Sequence, residues 1–278
     1  MLRRITIPMA AAALALGVLG LAGNAAAAPT APAAHAAAHS LPAHFNPGGV
    51  LVKRGTLHTA THGGVSAAEV TSSNWSGYAV TGSSGTYKSV SASWTQPTAH
   101  CTGSRRSTTY AAFWVGLDGY SSSSVEQTGT LIECVGSTAY YYGWYEMYPA
   151  GLITYSTTLH AGDSISASVT FSGTQTYTLV LKDSTRGWTE TTTKNQSGLA
   201  RSSAEVITEA PCCTSSGGIL PLADFGTVNY SGSADNGSSM GTQSPTEIII
   251  VDGSGNQEDS TSAISSSGAF SNTWIRST

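Results

Sequence analysis

Residues 109–148 read TYAAFWVGLDGYSSSSVEQTGTLIECVGSTAYYYGWYEMY, and this stretch decides the fold. Three runs rich in Val, Ile, Thr, Tyr and Trp, namely Thr109–Leu117, Val125–Ile132 and Ala139–Tyr148, are broken by clusters of Gly, Ser and Asp. β-Branched and aromatic side chains suit a pleated surface, and small polar residues let the chain reverse, so each run predicts a strand and each cluster a turn. Outward from this stretch the same pattern predicts strands at Ser76–Val80, Ser89–Thr95, Ser164–Ser172, Thr176–Asp183, Thr189–Lys194, Ser203–Glu209, Thr227–Tyr230, Glu247–Asp252 and Ser271–Ile275. Helical periodicity is not apparent in any of them. Turn signals such as Ser83-Ser84-Gly85, Ala161-Gly162-Asp163 and Asp252-Gly253 favour antiparallel neighbours. The expected fold is all-β: a two-sheet antiparallel β-sandwich, concanavalin-like or jelly-roll-like.

Side chains alternate faces along a strand, so the polar residues within these runs can be sorted by parity. Trp114 and Asp118 share one face while Val115 and Leu117 take the other; Trp144, Glu146 and Tyr148 share a face, as do Val125, Gln127 and Gly129, and Glu205, Ile207 and Glu209. Four strands each presenting acid, amide or indole groups on one side do not describe a core face. They predict an aromatic-lined groove reached by solvent.

Upstream, the composition changes. Met1-Leu2-Arg3-Arg4, an apolar stretch from about Met9 to Leu21 and small residues at Ala25–Ala28 read as a signal peptide over 1–28, too short and too interrupted for a membrane span. Residues 29–70 are rich in Ala, Pro and His and are expected to form a pro-segment that is disordered or removed. Residues 71–278 then form one domain, secreted to the extracellular space, with no membrane association after signal cleavage and no second copy required.

The charge balance excludes nucleic acid as a partner: from Thr71 onward there are eight Lys or Arg against fifteen Asp or Glu. Of four cysteines, Cys101 is expected to pair with Cys134, while the adjacent Cys212 and Cys213 either bridge each other or bond elsewhere. Adjacent cysteines lack zinc-ligand spacing, so no metal is expected. Five of seven histidines, His35, His39, His44, His58 and His62, precede the domain, leaving His100 and His160, each expected at the surface. A Ser-His-Asp arrangement is therefore weak. What remains for hydrolysis is carboxylate chemistry, in which a Glu acts as base under acid conditions and a side-chain amide stabilises an oxyanion.

Five blocks occur in order: Asn74-Trp75-Ser76-Gly77-Tyr78, Trp114-Val115-Gly116-Leu117-Asp118-Gly119, Gln127-Thr128-Gly129, Trp144-Tyr145-Glu146-Met147-Tyr148-Pro149 and Ala204-Glu205-Val206-Ile207-Thr208-Glu209. Together they resemble the glutamic peptidases, the eqolisin family (peptidase family G1), over nearly all of the chain after Ser73. The resemblance implies a β-sandwich endopeptidase that cleaves proteins or peptides at acid pH without a cofactor. It implies Gln127 and Glu209 as the catalytic pair, with Trp114, Asp118, Trp144 and Glu146 lining the substrate groove. Thr208 before the catalytic Glu, Ala210-Pro211 after it, and Tyr142 at a position acidic in some fungal members depart from the family pattern and resemble bacterial members. Glu205 shares the face of Glu209 and is a second acid or a groove-edge residue. Trp, Tyr and carboxylates in a groove also suit sugars, so a secreted carbohydrate-active sandwich, either a glycosidase or a binding module, is the alternative.

Overall fold

The structure is a computed structural model that describes residues 41, 49–62, 65–104, 106–212 and 218–277. The signal-peptide expectation falls outside these residues, as does most of the pro-segment upstream of Gly49. In chain order the strands are β1 (Lys53–His62), β2 (Val65–Ser72), β3 (Trp75–Thr81), β4 (Ser89–Thr95), β5 (Thr108–Leu117), β6 (Val125–Val135), β7 (Thr138–Tyr148), β8 (Ile153–Thr154) and β9 (Ser164–Phe171). They continue as β10 (Thr176–Asp183), β11 (Trp188–Asn195), β12 (Ser203–Glu209), β13 (Thr227–Asp235), β14 (Ser238–Ser239), β15 (Thr246–Ile250), β16 (Asp259–Thr261) and β17 (Phe270–Trp274).

Among the described residues these strands form two sheets. One runs β1-β2-β15-β3-β12-β5-β6-β7-β8; the other runs β11-β10-β9-β4-β13-β17-β16, with β14 on β13. Neighbours pair antiparallel except β2 and β15, which run parallel, Glu69–Ser72 beside Glu247–Ile250. All twelve strands expected from sequence are present. β1, β2, β8, β14 and β16 are additional, and β1 with most of β2 occupies part of the stretch expected to be without regular structure.

Burial patterns separate the two sheets. Along β4, β9 and β10 buried residues alternate with more exposed ones, as in a sheet with one face on the core and one toward water. Along β5, β6 and β12 nearly every residue is buried, so the middle of the first sheet is covered on both faces. The inner face packs the core between the sheets, with Phe113, Val115, Leu117, Ala204 and Val206 meeting Trp94, Ile165, Val169 and Leu179. Each large apolar side chain sequestered there contributes about 1.5–3 kcal/mol. Trp94 Nε1 crosses between sheets to donate to Thr130 Oγ1 at 3.2 Å. The outer face carries a second apolar cluster that includes Trp75, Trp114, Trp144 and Ile207, and Leu51 from the upstream segment is a buried member of it. Cys101 and Cys134 form the expected disulfide. Cys212 is also disulfide-bonded, and Cys213 lies outside the described residues.

Candidate active site

Register across β12, β5, β6 and β7 builds the outer face in rows. Glu205, Gly116, Gln127 and Glu146 form one row; Ile207, Trp114, Gly129 and Trp144 the next; Glu209, Ala112, Leu131 and Tyr142 the third. The parity expected from sequence is therefore the observed one, and it gathers Gln127, Glu209, Trp114, Trp144 and Glu146 on a single face. Gly129 has no room for a side chain: a Cβ there would lie 2.1 Å from Phe113 O and 2.6 Å from Trp114 Cβ. Its absence lets the β5 backbone and Trp114 sit against β6.

Two hydrogen bonds hold the polar pair. Trp114 Nε1 donates to Glu209 Oε2 at 2.8 Å, and Gln127 Nε2 donates to Glu146 Oε2 at 2.7 Å. Asn74 Nδ2 approaches Glu209 Oε1 at 3.5 Å. Burial pushes the Glu209 carboxyl well above the usual carboxylate range; the Trp114 bond opposes this, and nearby Glu146 reinforces it. Glu146 is likewise pushed up by burial, against the bond from Gln127. Gln127 Oε1, Glu146 Oε1 and Trp144 Nε1 are buried without a partner among the described residues.

The face is not open to solvent as the sequence suggested: Trp114, Gln127, Trp144, Glu146 and Glu209 are all 0% exposed. The physical reason is the upstream segment. Residues 49–52 lie over this face: Asn74 Nδ2 donates to Val50 O at 3.2 Å, Leu51 N donates to Gly119 O at 3.1 Å, and Leu51 is buried in the tryptophan cluster. A chain segment held largely through its backbone, with Leu51 its one buried side chain, carries too little side-chain signature for this closure to be foreseen.

Asp118, expected along the groove, directs its carboxylate elsewhere. At φ 70° it accepts from Arg201 N at 2.6 Å, Ser202 N at 2.9 Å and Ser202 Oγ at 3.1 Å, pinning the end of β5 to the approach of β12. The family departures have local partners as well. Thr208 points to the inner side, where its hydroxyl meets Tyr230 OH at 2.9 Å, and Tyr230 OH donates to Ile207 O at 2.9 Å, tying the strand of Glu209 to the second sheet. Tyr142 donates to Glu133 Oε2 at 2.9 Å and Tyr110 to Glu133 Oε1 at 3.2 Å, so an acid on the same face of β6 stands beside the tyrosine. Glu133 and Asn74 were not singled out from sequence; Glu133's parity with Gln127 was the available signal. His100 and His160 are exposed, His100 beside Asp224 at 3.3 Å.

Glu126, one residue from Gln127, points to the inner face between Leu117 and Met147. Burial first and the charge of Asp118 second push its carboxyl up to about 9, and Ser124 and Arg201 only partly oppose them. The folded chain then holds this proton between about pH 4.5 and about 9 while the unfolded chain releases it, so stability is full in acid and falls as pH rises through that window. The slope is up to about 1.4 kcal/mol per pH unit for this one group. Thermal melts from about pH 5 to about pH 8 should show a falling midpoint, and Glu126→Gln should flatten the fall. An equally steep fall in the variant would place the cause elsewhere.

Residues 73–274 match the family model described as the Peptidase A4 family. Among solved structures, a scytalido-glutamic peptidase bound to a peptide-based transition-state analogue is similar at TM-score 0.61 and 26% identity, covering 73% of this chain and 98% of its own. SCP-B, a member of the eqolisin family in complex with the tripeptide Ala-Ile-His, is similar at 0.59 and 25%, with the same coverage. Aspergilloglutamic peptidase from Aspergillus niger is similar at 0.54 and 26%, covering 60% of this chain and 99% of its own. No curated protein sequence matches the chain.

Proposed function

Since the chain belongs to the peptidase A4 family and is a glutamic endopeptidase, we propose that it cleaves peptide bonds in acid with Glu209 as general base and Gln127 as oxyanion donor. Its chief support is that the two side chains share one face, each held by its own hydrogen bond, from Trp114 at 2.8 Å and to Glu146 at 2.7 Å. Ionised Glu209 takes a proton from water as the water oxygen bonds to the scissile carbonyl carbon. The carbonyl oxygen becomes an oxyanion, which accepts from the Gln127 amide. When the C–N bond breaks, Glu209 returns the proton to the leaving nitrogen, giving a carboxylic acid and an amine. Trp114 orients the base, Glu146 orients the amide, Trp144 walls the substrate, and Asp118 steadies the corner beside them.

A base must be ionised, yet in the covered groove burial pushes the Glu209 carboxyl well above its ordinary range and so disfavours the ionised form. Withdrawal of residues 49–52 would readmit water and lower that pKa toward the ordinary carboxylate range, where acid pH suffices. The chain is accordingly read as an exported precursor: signal peptide 1–28, pro-segment 29–70, and a secreted monomeric enzyme acting on proteins or peptides, with no nucleic-acid partner, membrane anchor or cofactor. The family match beginning at residue 73 supports that boundary. Digestion of denatured casein and of a β-glucan at about pH 3–4 tests the reading against a carbohydrate-active sandwich. Casein fragments without glucan cleavage are expected; glucan cleavage alone would overturn it.

A further inference from the structure

Residues 49–52 are held as an extended peptide, bonded along both backbone edges. Asn74 Nδ2 donates to Val50 O at 3.2 Å, and Val52 N donates to Asn74 Oδ1 at 2.9 Å. Between them Leu51 N points the other way, to Gly119 O at 3.1 Å. In an extended chain the backbone groups of residues 50 and 52 face one side and those of residue 51 the other, so the Asn74 carboxamide acts here as one peptide unit of a neighbouring strand. Asn74 is preset for this. It is fully buried, Ser72 Oγ donates to its Oδ1 at 2.9 Å, and its own N–H is bonded to Ser72 Oγ at 3.1 Å.

The clamp adjoins the chemistry. The same Nδ2 that donates to Val50 O lies 3.5 Å from Glu209 Oε1, so the segment is held beside the catalytic carboxyl. Leu51 is 8% exposed within the cluster that holds Trp75, Trp114 and Trp144, whereas Val52 is 44% exposed. Recognition thus rests on two backbone edges and the apolar side chains of Leu51 and half-buried Val50, features that most extended peptides offer.

We propose that Asn74 and the Gly119 carbonyl form the main-chain clamp for substrate, and that residues 49–52 silence the precursor by occupying it. This rests on the glutamic-peptidase reading of Glu209 and Gln127. Asn74 is a positioning residue: it fixes the peptide backbone and leaves bond making to the catalytic pair. Substrate and residues 49–52 compete for the same hydrogen bonds, so a change at the clamp weakens both.

The test uses the full-length chain, with intact mass confirming that it is uncut while initial rates on a fluorogenic peptide are read in acid. Leu51→Asp sets a charge among the tryptophans and should release the segment, raising the rate of the uncut chain about tenfold or more. On that background, Asn74→Ala should raise KM about tenfold with a smaller change in kcat, as loss of two backbone bonds predicts. Peptides N-methylated at one position at a time supply a second readout: the position that impairs Leu51→Asp most should cost little more in the double variant. An acetylated peptide of residues 49–53 should inhibit Leu51→Asp competitively and the double variant more weakly. Uncut wild type as active as Leu51→Asp would overturn the silencing role. An unchanged KM and an unchanged N-methyl pattern after Asn74→Ala would overturn the clamp. Absence of hydrolysis in every variant, and in wild type after prolonged acid incubation, would instead refute the peptidase reading itself.

Discussion

Replacing Glu209 with Gln is expected to lower kcat for peptide hydrolysis in acid by about 10³-fold or more, because the general base and the proton carrier to the leaving nitrogen are lost together. The substitution isolates that loss. A glutamine of the same length still accepts from Trp114 Nε1, bonded now at 2.8 Å, and fills the same buried site. Without the Glu209 charge the fold loses no ion pair, so the melting midpoint in acid and KM should hold nearly constant. Steady-state kinetics on a peptide substrate, beside a thermal melt, check both halves. Retention of a tenth or more of wild-type kcat would exclude Glu209 as the base and turn attention to Glu205, which is equally buried and shares its face. Glu205→Gln is expected to remain active.

Replacing Gln127 with Ala should lower kcat about 10²–10³-fold, roughly 2.7–4 kcal/mol of barrier, with KM little changed, since the donor is needed only when the carbonyl oxygen acquires charge. Gln127→Glu should fare no better. It keeps the length but replaces the NH2 group, which donates to Glu146 Oε2 at 2.7 Å, with a carboxyl that shares a proton with Glu146 in acid and has no N–H to offer the oxyanion. Scarcity of histidine in the domain makes a carboxylate the natural base, whereas the amide's place in the pair follows from the Gln127-Thr128-Gly129 block. A rise in KM without a fall in kcat would show that Gln127 binds substrate and plays no part in the transition state.

The strands were legible in the sequence because alternation and turn chemistry are local. Ser89–Thr95, Thr176–Asp183 and Ser203–Glu209 were expected with the ends they have. Parity sorted Trp114, Gln127, Trp144 with Glu146, and Glu209 within their own strands, because the side-chain period of a strand leaves few alternatives once its ends are known, and register then gathered them on one face. Pairing is a different matter. β2 meets β15 in parallel across most of the chain, and no local pattern announces such a partner. Asn74 stood in a quoted block without a role, since its role depends on a segment that touches it through backbone atoms.

The residues of this chain by themselves determined an all-β sandwich and, strand by strand, which side chains share a face, since these follow from side-chain type and a period of two. The tertiary structure decided which groups meet: Trp114 on Glu209, Glu146 on Gln127, Asp118 turned to the 201–202 backbone, and residues 49–52 over the groove. Those contacts depend on strand order, register and backbone hydrogen bonds between distant segments, and backbone groups are the same in every residue that has them.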